Sequence, residues 1–266
     1  MERYSKLWRA FFALSLMAIA VQQLVDGGFK PVILPPSPTS FAGYTACLWL
    51  VSIVLILACA AILLNIRAHL VSVYLGTMLL LLLIIFHLPW LLFPHIRFFG
   101  GWGNPFKIMA YAGGAFVVAK SAAQTPGHVN LVNSWLEKLI PSGRCLFGVT
   151  MTAFGIMHFM YPTFVAMLVP AWIPGHTFWT YFAGVALIIS GLAIIFNIQL
   201  RLAANLLGIM IFIWLIVLHI PRAIAYPHME NGNEITSVFE ALGFSGIAFL
   251  IAANGKDNQN QLSVVN

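Results

Sequence analysis

Apolar residues run along this chain in long, nearly unbroken stretches, and each stretch ends in a cluster of turn-formers or charges. The runs predict spans near 7–25, 41–64, 70–92, 105–122, 144–161, 177–196, 202–221 and 236–253. About 20 apolar residues in a helix cross the hydrocarbon core of a bilayer. A helix satisfies every backbone polar group internally, which lipid demands. Between the runs stand "KPVILPPSPTS", "GGWGNP", "PTFVAMLVPAWIPGH" and "YPHMENGNE", segments rich in Pro, Gly and Asn that break helices. The pattern predicts an all-α polytopic membrane protein with eight transmembrane helices.

Composition points the same way. Of 266 residues, 61% are apolar and only 8% charged, and mean hydropathy is +0.93. A soluble domain needs more charge to cover its surface. The net charge of +6 bears on topology, not on nucleic acid. An even number of spans puts both termini on one side. That side holds Arg3, Lys6, Arg9, Arg67, Lys120, Lys138, Arg144, Arg201 and Lys256, against Lys30, Arg97, Lys107 and Arg222 on the other. The positive-inside rule then places both termini in the cytoplasm. The segment "MERYSKLWRAFFALSLMAIA" has the layout of a signal peptide, but the repeat described next makes it a retained first span. Cys47, Cys59 and Cys145 form no C-x-x-C pair and read as small apolar packing residues.

The chain repeats itself. Residues 65–89, "NIRAHLVSVYLGTMLLLLLIIFHLP", align without gaps on 197–221, "NIQLRLAANLLGIMIFIWLIVLHIP". Apolar matches between membrane helices carry little weight, so the polar and special positions decide. They pair Asn65 with Asn197, Gly76 with Gly208, His87 with His219 and Pro89 with Pro221. One inserted residue later, Pro94-His95 matches Pro227-His228, and Phe106, Gly113 and Phe116 match Phe239, Gly246 and Phe249. Upstream, Arg9 matches Arg144 and Pro35 matches Pro170. Two tandem units follow, 1–124 and 144–255. A cytoplasmic amphipathic linker, 125–143, joins them, and a cytoplasmic tail covers 256–266. With four spans each, both units enter the membrane the same way up, as two parallel-repeat four-helix bundles.

Gly155-x-x-His158-Phe159-x-x-Pro162, the Val169-Pro170 loop, Gly191-Leu192, the helix beginning Arg201-Leu-Ala-Ala, and His219-x-Pro221 resemble the DoxX family. In the first unit, Phe106, Lys107, Gly113 and Gly114 resemble that family's closing helix. The resemblance runs in two copies over nearly the whole chain, whereas typical members have one unit. It implies a multi-pass protein of the bacterial inner membrane, with quinone or another lipophilic redox partner as ligand. It also implies similarity to a membrane subunit of thiosulfate:quinone oxidoreductase. The cysteines of more distant quinone-reactive relatives are absent, which argues against their thiol chemistry.

Polar side chains are costly in hydrocarbon, so those that persist are candidate functional groups. From Arg67 to His87 is 20 residues, about 30 Å of helix, so His87 and likewise His219 belong at the outer boundary. From Arg144 to His158 is 14 residues, about 21 Å, which leaves His158 deeper. His87, His95, His158, His176, His219 and His228 gather on the outer half; His69 and His128 are cytoplasmic. Each of His87 and His219 either satisfies a carbonyl freed by the following proline or donates to a ligand at a bundle mouth. Axial ligation of a haem lacks a supporting ligand cluster, and no metal set accompanies the pair.

The two copies differ informatively: His158 stands where the first unit has Gln23, and Lys107 where the second has Glu240. Lys107 follows Asn104-Pro105 near its helix start and opposes the helix dipole there. It would pair with Glu240 across the halves, bind a ligand oxygen, or snorkel to the interface. His158 and Tyr161, one turn apart, would make a donor pair for a quinone carbonyl. Trp102, Trp172, Trp179 and Tyr226 read as an interfacial aromatic belt. Asp26, Arg97, Arg222, Glu230 and Glu234 fall in outer loops, where solvation is the plain reading. The candidate reactive groups are therefore His158, His87, His219 and Lys107, and the candidate head-group contacts Tyr161, Gln23, Glu240 and Arg222. These make the chain a candidate quinone-linked oxidoreductase component. A non-catalytic scaffold subunit of a membrane complex is the alternative, and a transporter ranks third.

Overall fold

The computed structural model describes residues 2–36, 43–92, 99–122 and 131–255. The expectations for His95, Arg97, His128, Lys256 and the tail 256–266 lie outside the described residues, as does the start of the linker. Among the described residues, eight long helices follow one another: α1 Glu2–Asp26, α2 Tyr44–Leu63, α3 Ala68–Leu92, α4 Gly103–Ser121, α5 Gly143–Met160, α6 His176–Phe196, α7 Leu200–Ala225 and α8 Asn233–Asn254. Seven of them, among the described residues, are long and apolar enough to cross a membrane. The architecture is that of an all-helical, multi-pass membrane protein.

The helix that falls short of the expected eight is α4. It has 19 residues, but Asn104, Pro105, Lys107, Lys120 and three glycines lower its hydropathy. Burial is the reason this is tolerated. An unbroken run from Ala110 to Ala119 is buried, so the helix is clothed by protein and has no need of a lipid-facing apolar surface.

Packing explains that burial. Each long helix lies against its neighbour in sequence, α5 along α4 among them, and in addition α1 packs along α8 and α4 against α8. The first helix of each half therefore leans on the last helix of the other half, and α4 and α8 occupy the centre. Glycine makes the close approaches possible. A Cβ on Gly113 would come within 2.6 Å of the Gly143 carbonyl oxygen, and one on Gly246 within 2.9 Å of the Trp8 carbonyl oxygen. These are the same junction in the two halves.

Other local features recur in register. Asn65 and Arg67 have φ of 56° and 46°, and Asn197 and Gln199 have φ of 61° and 44°. Asn tolerates this left-handed conformation better than most residues. In both turns its side chain also works: Arg9 donates to Asn65 Oδ1 at 3.2 Å, and Arg144 donates to Asn197 Oδ1 at 2.8 Å. The ring of Phe116 covers Gly76, as that of Phe249 covers Gly208. Within α3 and α7, Leu83–His87 and Leu215–His219 are π-helical turns. Each is followed, two residues after its histidine, by a proline that lacks an N–H and crowds the carbonyl four residues back. Widening the turn relieves that clash.

The linker ends in a short helix, Leu131–Glu137, that touches α3. Trp135 is exposed beneath Lys138, whose ammonium lies 3.8 Å from the ring centroid. Glu137 lies 3.5 Å from His69.

The helix junctions give a test. Gly113→Ala should lower thermal stability in detergent by about 1–3 kcal/mol, because backbone oxygen cannot yield to the added methyl. Gly103→Ala, with nothing within 4 Å of the new Cβ, should leave the melting temperature unchanged. Equal melting of both variants would show that the junction is not tight.

Candidate functional site

A cavity of about 280 Å³ lies between α5, α6, α7 and α8. The short helix Pro162–Leu168 and Val169 form part of its wall, and Lys107 reaches it from α4. Most of the lining is apolar: Trp179 and Trp214 stand at 81° with centroids 6.0 Å apart, and Phe154 lies against Phe244. Four sequence-derived candidates meet here: His158, His219, Lys107 and Glu240.

The polar end of the cavity is organised by an ion pair. Lys107 Nζ lies 2.7 Å from Glu240 Oε2, and the Glu240 side chain is only 6% exposed. Of the three readings open for Lys107, the structure displays the pairing across the halves. Lys107 is the fifth residue of α4 and Glu240 the eighth of α8. Glu240 thus lies beyond the first turn, where the helix dipole fades, and the lysine is what compensates it. Its other oxygen, Oε1, is buried without a hydrogen-bond partner, as is His219 Nδ1.

His158 faces the carbonyl oxygen of Phe154 through Nδ1, at 2.8 Å. A carbonyl can only accept, so Nδ1 carries the proton and Nε2 of the neutral ring is an acceptor. Thr180 similarly donates its hydroxyl proton to the His176 carbonyl, at 3.0 Å. The expected His158–Tyr161 donor pair is not formed within the cavity. Tyr161 is outside the lining, and its hydroxyl accepts from the Gly100 N–H at 3.0 Å.

The remaining candidates stand elsewhere. His87 is fully buried, and its Nε2 donates to the Ile33 carbonyl at 3.2 Å. Gln23, also fully buried, donates to Ser52 Oγ at 3.0 Å and accepts the Lys30 N–H at 3.1 Å. Both hold the segment after α1 against the first half, and Val32 and Ile33 on that segment are buried. From Gln23 to Pro35 and from His158 to Pro170 the spacing is identical. Yet the first segment turns inward as a plug, whereas the second coils into the short helix beside the cavity. Arg222 makes a two-point pair with Glu234, at 2.5 and 3.0 Å, joining α7 to α8. Lys30 pairs with Asp26 and donates to the Asn231 carbonyl at 2.5 Å. Gln22 donates to the Gly232 carbonyl and accepts from Thr236.

Sequence reasoning missed Trp214, Phe154 and Phe244, and placed Trp179 in an interfacial belt. The available signal was again a difference between the copies: Trp214 stands where the first unit has Leu82.

A family described as Domain of unknown function (DUF8561) matches residues 147–239, less than half of the chain. The matched stretch contains most of the cavity lining, from Met151 to Ser237, but neither Lys107 nor Glu240. No curated protein and no solved structure matches the chain.

Removing one member of a buried pair strands the other charge, at a cost of about 3–5 kcal/mol. Lys107→Met should therefore lower thermal stability strongly, while the double variant Lys107→Met with Glu240→Met should recover most of the loss. A double-mutant cycle by thermal unfolding in detergent measures this. Additive losses would mean that the two side chains are energetically independent.

Proposed function

We propose that this chain is a membrane component that binds one lipophilic molecule. Its polar head sits at Lys107, Glu240, His158 and His219, and its apolar body lies among Trp179, Trp214, Phe154 and Phe244. The carrying observation is an apolar-walled cavity whose few polar groups converge at one end, the ordinary design of a small-molecule site. At about 280 Å³ its volume suits a single ring with a short stretch of tail. A ring of the quinone–quinol type fits that size, and Lys107 offers an N–H to its oxygen.

The finer architecture belongs to the same proposal. The recurring turns, π-helical segments and glycine junctions support eight spans arranged as a parallel repeat about an axis between α4 and α8. The charge bias supports cytoplasmic termini, with the cavity opening at the opposite end of the bundle. The His-x-Pro and G-x-x-H-F motifs support kinship with DoxX-like proteins of the bacterial inner membrane, and with it a place in a quinone-linked system. On this reading the first half has given up its site. His87 and Gln23 bind the plug, so each chain takes one ligand.

Quenching of tryptophan fluorescence by a short-chain quinone and its reduced form should saturate at one molecule per chain. His158→Ala should weaken binding of the reduced form roughly fivefold, the effect of losing one hydrogen bond from a ligand hydroxyl to Nε2. Trp214→Ala should weaken it further, and His87→Ala should leave affinity unchanged while lowering stability. If His158→Ala and Trp214→Ala bind like the unaltered protein, the cavity is not the site.

A further inference from the structure

The polar groups of the cavity do more than mark a head-group site; they define which head group fits. Resting on the binding reading above, we propose that the site selects a neutral, hydroxyl-bearing lipophile, and that a dione, an ether, an acid or an amine of the same shape binds less well.

Acceptors outnumber donors at the polar end of the cavity. Glu240 Oε1 is buried and lacks a partner, and a carboxylate oxygen can only accept. His158 Nε2 accepts, because Nδ1 is committed to Phe154. The hydroxyl proton of Thr180 is committed to His176, leaving its lone pairs. On the donor side stands Lys107, whose ammonium has three N–H groups, one of them directed at Glu240. A hydroxyl placed beside this pair donates to Glu240 Oε1 and accepts from Lys107. A carbonyl or ether oxygen accepts from Lys107 but leaves Glu240 Oε1 unsatisfied, and a buried acceptor without a donor is costly.

Charge narrows the class further. Lys107 and Glu240 neutralise each other, and the surrounding wall is apolar. A ligand carboxylate would face Glu240 and would have to displace it from Lys107. A ligand ammonium would have to displace Lys107 from Glu240. An uncharged alcohol or phenol disturbs neither partner. The aromatic wall of Trp179, Trp214, Phe154 and Phe244 suits a ring-bearing member of this class.

Three probes built on one tetramethylated ring separate the possibilities: tetramethyl-1,4-hydroquinone, its dione, and its slightly larger dimethyl ether, each titrated under argon into the purified full chain in detergent. The diol should bind about tenfold or more tightly than the other two, the effect of one hydrogen bond to a charged acceptor. The double variant Lys107→Leu with Glu240→Leu should lose most of the diol preference, keeping only the few-fold part due to the His158 acceptor, because the apolar wall remains and the discriminating pair is gone. If the dione or ether binds the unaltered protein as tightly as the diol, the selectivity is overturned while the binding site stands. Should the double variant retain the full diol preference, discrimination does not reside in the pair and the inference fails. If none of the three binds, both the inference and the site fall.

Discussion

A charged pair inside an apolar chain is the constraint on which the rest of this structure turns. Lys107 and Glu240 come from the fourth and eighth long helices, one from each half, and meet at 2.7 Å. Neither charge is tolerable there alone. Their meeting fixes α4 against α8 in depth and rotation, at the centre of the helix assembly. Around that contact the first helix of each half packs on the last helix of the other, through glycines that allow backbone to touch backbone. The halves are therefore interlocked, and the polar end of the cavity is built from both.

The segments that follow α1 and α5 share the same spacing from Gln23 to Pro35 and from His158 to Pro170, yet they fold differently. One copy of the segment after the first helix folds inward, with Val32 and Ile33 buried and with Gln23 and His87 binding its backbone. The other forms a short helix and leaves about 280 Å³ beside Trp179 and Trp214. In the closed half the histidine donates to protein. Its other nitrogen, His87 Nδ1, is buried without a partner, as are His219 Nδ1 and Glu240 Oε1 in the open half, but only His219 and Glu240 belong to residues that line the cavity.

The all-helical, multi-pass character was legible because apolar run length is a local signal, and the matched Asn, Gly, His and Pro positions marked where local geometry recurs. The π-helical turns were foreshadowed by Pro89 and Pro221, whose missing N–H disrupts any α-helical ladder. Lys107, Glu240, His158 and His219 were legible as candidates, since a polar group in an apolar helix needs a reason. The hidden part is what depends on packing between distant segments. Tyr161 sits one turn from His158 yet turns to the Gly100 backbone. Gln23 and His158 occupy equivalent positions, but only the fold of the following segment decides which of them faces a cavity. The low hydropathy of α4 made sense only once neighbours were seen to enclose it. The exchange of packing partners between halves left no trace in either half read alone.

The central claim is that one half is open and the other closed. Photolabelling with a small diazirine-bearing phenol, followed by peptide mapping of the full chain in bilayers, reads this directly. The account expects adducts on Met151, Trp179, Trp214 and their neighbours, and none around Ile33 and His87. Equal labelling of both halves, or labelling spread evenly over lipid-facing helices, would contradict it.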